Sequence, residues 1–111
     1  MKKLGYDGLW HIYQMECWDE DYFNMEVQAY IKINKNGTGE FHFGLVSGDI
    51  DGEISESRER LEFTWEGNDE CDPVSGSGWF KRIDNDNLEG EFKIHLGDSS
   101  KFQSRRAKNT R

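Results

Sequence analysis

The chain of 111 residues predicts an all-β fold, an eight-stranded antiparallel up-and-down β-barrel. Three observations lead there. Apolar and polar residues alternate with a period of two, and no segment carries the period of an amphipathic helix. Turn-forming clusters recur roughly every eight to twelve residues, the spacing of small sandwiches and barrels. Apolar residues make up only 34% of the chain while aromatics reach 14%. That balance suits a barrel, where every second strand residue faces inward and a few large side chains fill the space. The length allows one core, so a single domain is expected over 1–111, with a short lead-in at 1–8 and a basic tail at 107–111. A two-sheet sandwich is the alternative.

The strands are expected in this order. Strand one runs from Leu9 to Trp18, and WDEDY turns the chain. Strand two covers Phe23 to Asn34, with Met25, Val27, Ala29, Ile31 and Ile33 on one face. Asn36-Gly37 signals a hairpin, because the favoured tight turns need residues that accept positive φ. Strand three, Gly39 to Val46, points Phe41, Phe43 and Leu45 inward; SGD breaks it, and strand four runs from Ile50 to Ser55. SESRE leads to strand five, Arg60 to Glu66, where Leu61, Phe63 and Trp65 alternate with Glu62, Thr64 and Glu66. GNDECDPVS reads as a polar loop. Strand six spans Gly76 to Asp84 with no clear inward face, strand seven Leu88 to Leu96, and strand eight Lys101 to Ala107.

Alternate links of a meander lie at opposite ends. WDEDY, SGDID, GNDECDPVS and GDSS therefore share one end. That end is expected to gather Asp19, Glu20, Asp21, Asp49, Asp69, Glu70, Asp72 and Asp98 into an acidic rim.

The formal charge is −8, unevenly spread. The last eleven residues hold five bases and no acid, so the first hundred carry nine bases against 22 acids. Nucleic acid and anionic membranes are bound through Lys and Arg, so an acidic body argues against both. MKKLGYDGLW has no apolar run of the kind an export signal needs, and no stretch is long enough to span a membrane as a helix. A cytoplasmic location is expected, with Cys17 and Cys71 as free thiols.

The parity that sends Trp10 and Ile12 inward also sends Gln14, Glu16 and Trp18 inward, toward the acidic end. Trp65 approaches the same mouth from strand five. These four residues predict a pocket for a small polar or cationic ligand, since tryptophan faces attract cations and carboxylates add to the attraction. The alternative is that the rim docks a basic protein partner. A third reading makes Glu16, enclosed beside two tryptophans, a general acid or base. No catalytic nucleophile pattern, phosphate loop, EF-hand spacing or C-x-x-C occurs, so no cofactor and no metal are expected. His11, His42 and His95 fall on the outward parity of three different strands.

Gly8-Leu9-Trp10 resembles the G-x-W start of the calycin superfamily, which includes lipocalins, fatty-acid-binding proteins and avidins. That resemblance implies a Trp10 seated at the closed end beneath a basic residue of the last strand. Arg105 and Arg106 are both within reach, and Arg106 shares parity with the inward Phe102. The whole chain also resembles an uncharacterised group of small bacterial proteins of roughly 110 residues. The shared pattern includes Trp18-Asp19, Asp21-Tyr22, Ala29-Tyr30-Ile31, Gly39-Glu40-Phe41, Phe63-Thr64-Trp65-Glu66-Gly67, Asp69-Glu70 and Gly97-Asp98. This second resemblance implies no activity.

Overall fold

Each strand pairs antiparallel with the next, and the last returns to the first to close a barrel. In the computed structural model the strands are β1 Gly8–Met15, β2 Tyr30–Ile33, β3 Thr38–Phe43, β4 Val46–Ser55, β5 Arg60–Asp69, β6 Asp72–Arg82, β7 Asn87–Ile94 and β8 Ser99–Arg106. One short helix, α1 Glu20–Phe23, interrupts the link from β1 to β2. The structure describes residues 6–107; most of the lead-in and the basic tail beyond Ala107 lie outside the described residues. The closing seam runs from Trp10 opposite Arg106 to Met15 opposite Phe102.

Strand one ends at Met15 and not at Trp18, and four further expected boundaries change, each for a local reason. The first half of strand two is α1 and an irregular segment. Asp19 caps the helix by accepting from the Tyr22 N–H at 3.2 Å, and Glu20 and Asp21 occupy the first turn. Acids there favour a helix start, because the first N–H groups are unpaired and the dipole is positive. Asn24 Oδ1 then accepts from the Ala29 N–H at 2.8 Å and closes the loop into β2. Met25 and Val27 are consequently exposed and not in the core.

The break between β3 and β4 falls at Gly44-Leu45, before SGD. Gly44 has φ +59, and a Cβ there would strike the Tyr22 ring at 2.2 Å, so only glycine fits. Ser47, Gly48 and Asp49 are inside β4. GNDECDPVS is likewise not a loop. β5 and β6 continue through it as paired strands, Asn68 opposite Pro73 and Asp69 opposite Asp72, and turn at Glu70-Cys71. β7 ends at Ile94, leaving Leu96 exposed in the turn to β8 with φ +64.

The single proline has a place in this hairpin. β6 pairs with β7 from Gly76 onward, and the Ser75 carbonyl accepts from His95 N–H at 2.7 Å. Strand alternation aims the Pro73 backbone to that same side, beyond the end of β7. A proline on an open strand edge removes a donor that would invite another strand.

The bore is filled with rings. Phe92 has ring centroids of Phe41 at 4.8 Å, Phe43 at 5.2 Å, Phe63 at 5.7 Å and Phe102 at 4.8 Å around it. Glycines on β6 make room: Gly76 stands opposite Trp65 and Gly78 opposite Phe63. Large and small residues alternate across a narrow barrel in this way. The inward face of β6 is therefore Gly76, Gly78 and Phe80, and Trp79 points outward.

Both ends are covered. At one, Trp10 is fully buried and donates from its indole N–H to the Tyr6 carbonyl at 2.9 Å. Arg106 lies over the Trp10 ring at 4.1 Å and donates to the Asp7 and Asn85 carbonyls. At the other, Trp18 packs on Phe43 at 5.2 Å and stacks with Tyr22 at 6.0 Å, while Phe23 is buried.

Candidate functional site

The four residues expected to form one internal pocket do not meet in one. β1 carries a bulge between Ile12 and Gln14, where Tyr13 is the extra residue. One extra residue inverts the side-chain parity beyond it. Met15 therefore turns inward, while Tyr13, Gln14 and Glu16 are exposed on the outer wall. Glu16 accepts the Lys101 N–H at 3.1 Å, holding it across the β1–β8 seam. Trp18 lies past the end of β1 and covers the end of the barrel. Trp65 alone of the four is inside the bore, edge-on to Phe41 at 5.0 Å, and its indole N–H has no hydrogen-bond partner among the described residues.

The acidic end is formed by the links that the meander brings together. The Leu45 carbonyl accepts from Glu70 N–H at 2.8 Å, Tyr22 hydroxyl accepts from Leu45 N–H at 3.3 Å, and Phe23 carbonyl accepts from Gly44 N–H at 2.9 Å. Ser100 hydroxyl accepts from both Glu16 and Cys17 N–H groups, fixing the first link to β8. Asp19, Glu20 and Asp21 stand on or beside α1, Asp69, Glu70 and Asp72 on the β5–β6 hairpin, and Asp98 in the last turn. Asp49 is the exception: it sits on the barrel wall between Glu40 and Glu66, away from the end. No described His, Cys, Asp or Glu residues form a group of three poised to hold a metal. Cys17 and Cys71 are exposed free thiols.

Charge is sorted along the barrel axis. Arg58 and Arg60 both reach Glu62, at 3.1 and 3.0 Å, and Arg106 reaches Asp86 at 3.9 Å, all toward the Trp10 end. The Arg60 contact, then Arg58, holds the Glu62 carboxyl below its ordinary pKa. At the α1 end, no acid has a lysine or arginine within ion-pair reach among the described residues.

Sequence reasoning missed the outer face around Trp79. Arg60 stacks on the Trp79 ring at 4.5 Å. Trp79 separates two open grooves on the wall. The larger, about 580 Å³, runs from β4 to the start of β8 and includes Arg60, Glu62 and Glu91. The smaller, about 380 Å³, lies toward the seam and is walled by Gln14, Glu16, Glu89, Lys101 and Gln103. The signal for it was available: glycines at 76 and 78 opposite Trp65 and Phe63 fix the inward parity of β6.

No family model matches the chain, and no curated protein or solved structure is significantly similar to it.

Proposed function

We propose that the protein is a non-enzymatic docking module whose acidic end receives a basic protein partner. The observation that carries this reading is the sorting of charge. Residues 19–29, 69–72 and 95–98 contain eight acids and no lysine or arginine. Unneutralised acids on one face steer and orient a positively charged partner. The same end also exposes apolar side chains that could anchor it: Met25 at 52%, Val27 at 44% and Leu96 at 92% exposure. Leu96 is held out by a left-handed backbone, an unusual conformation for leucine.

A ligand inside the bore is the weaker reading, because rings occupy the bore and Gln14 and Glu16 point away from it. General acid–base chemistry at Glu16 lacks the enclosure it would need. The strand order and the Trp10–Arg106 contact support a calycin-like barrel, and exposed free thiols suit a reducing cytoplasm.

The reading is tested by titrating the labelled protein with a short peptide of alternating lysine and leucine, followed by NMR. Shifts are expected in 19–29, 69–72 and 95–98, with binding that weakens as salt rises. Replacing Asp19, Asp69 and Asp72 together by Asn should weaken it further while keeping the helix cap. Unchanged affinity in that variant, or shifts confined to the Trp10 end, would overturn the proposal.

A further inference from the structure

The smaller groove beside Trp79 is separate from the acidic end, and its walls come from outward residues of four strands. β1 supplies Gln14, with Glu16 just past its end, β8 supplies Lys101 and Gln103, β7 supplies Glu89, and Trp79 of β6 forms the far wall. The floor is backbone at Gly90 and Phe102. We propose that this groove binds a neutral, hydroxyl-rich ring, the chemical class of a sugar residue.

Three observations select that class. First, the wall chemistry is mixed. Gln103 Oε1 already accepts from the Tyr13 hydroxyl at 2.9 Å, so its amide N–H groups are left to donate. Glu16 and Glu89 accept, Lys101 donates, and Gln14 does both. A polyol presents donors and acceptors together around a ring and matches such a set. Second, the charge excludes the main competitors. Two carboxylates against one ammonium disfavour phosphates and carboxylates. A cationic ligand would have to share the Trp79 ring with Arg60, which already stacks on it at 4.5 Å. Arg60 belongs to the other groove and leaves the seam side of the indole to pack against the C–H face of a neutral ring. Third, the site is fixed. Glu16 is tied to the Lys101 backbone at 3.1 Å, Gln103 to Tyr13, and Tyr13 lies under the Arg105 guanidinium at 4.5 Å. A volume of about 380 Å³ is within the range of small-ligand sites. The bulge at Tyr13 builds the groove, because it turns Gln14 outward beside Gln103.

The experiment is an NMR titration of the full chain with cellotriose, maltotriose and chitotriose, with choline and inorganic phosphate as competitors of other chemistry. At least one glycan should move the Trp79 indole resonance and the Gln14 and Gln103 side-chain amides. Trp79→Ala should weaken that glycan by about tenfold or more, with core resonances unmoved. Gln14→Ala with Gln103→Ala should weaken it too, while leaving the Trp79–Arg60 stack in place. Silence of all three glycans at about 10 mM, identical shifts in Trp79→Ala, or choline or phosphate binding here in their place would overturn the proposal.

Discussion

Replacing Phe92 by Ala tests whether the barrel is solid. Phe92 is 1% exposed and has four aromatic neighbours with centroids within 5.7 Å. Truncating a buried Phe costs about 3–5 kcal/mol, through lost transfer energy and the cavity left behind. The surrounding rings belong to three other strands, each fixed by pairing on both sides, so collapse into the gap is limited and the upper half of that range is expected. For a domain of this size about 1 kcal/mol moves the midpoint by roughly 4 °C, so the melting temperature should fall by about 15–20 °C. Phe92→Leu, the milder control, should lose less than half as much. Calorimetry with and without benzene supplies the second reading. An apolar cavity cut into a packed interior stays dry and takes up benzene. Benzene should therefore raise the melting temperature of Phe92→Ala and leave the parent unchanged. A fall of under about 5 °C, or a parent protein stabilised by benzene as much as the variant, would refute a filled bore.

Arg106→Ala removes the cation over Trp10 and two donors to backbone carbonyls, and should cost about 1–3 kcal/mol by urea unfolding, with Arg106→Lys recovering only part of it. Asp69 and Asp72 are directly opposed across β5 and β6, so Asp72→Asn should stabilise by roughly 0.2–1 kcal/mol at low salt, and the gain should shrink at high salt. Asp84 is held below its ordinary pKa first by the Asp86 N–H and then by the Asn87 side chain. A lowered carboxyl pKa gives stability that is present above the unfolded value and lost as pH falls through the folded one; Asp84→Asn should flatten that part of the acid limb in a melting-temperature series.

The fold was legible because barrels are written in alternation and turns. Trp10 and Ile12, Ile31 and Ile33, Phe41 and Phe43, and Leu61, Phe63 and Trp65 all occupy the inward parity that the sequence suggests. Asn36-Gly37 marks a turn, with Gly37 at φ +94. Strand ends were harder. Polar residues continue a strand as easily as they end one when the outer face is solvated, so GNDECDPVS looked like a loop yet is hairpin as far as Asp69 and Asp72. α1 was missed because four residues are too few to show a period, although Asp19-Glu20-Asp21 is a helix-start pattern in itself.

The site was misplaced by a single residue. Parity arguments carry an error forward, because one inserted residue sends every later side chain to the other face until the strand ends. The bulge at Tyr13 does this to Gln14 and Glu16, and its trace is visible in the string Trp-His-Ile-Tyr-Gln-Met: apolar residues stand at 10 and 12 and then at 15. The physical reason is the fit at the seam. β1 must pair with β8 while Met15 is buried, and if Tyr13 were paired as an ordinary strand residue Gln14 would take the inward position in its place, with its amide desolvated. Deleting Tyr13 puts this to the test. It removes the bulge and leaves Ile12, Gln14 and Met15 in plain alternation opposite Ser104, Gln103 and Phe102, so Gln14 should stay outward beside Gln103, Met15 should stay buried, and only the contacts of the Tyr13 side chain should be lost. A deletion variant in which Met15 becomes exposed and the Gln14 side chain leaves Gln103, read by NMR, would refute the parity argument.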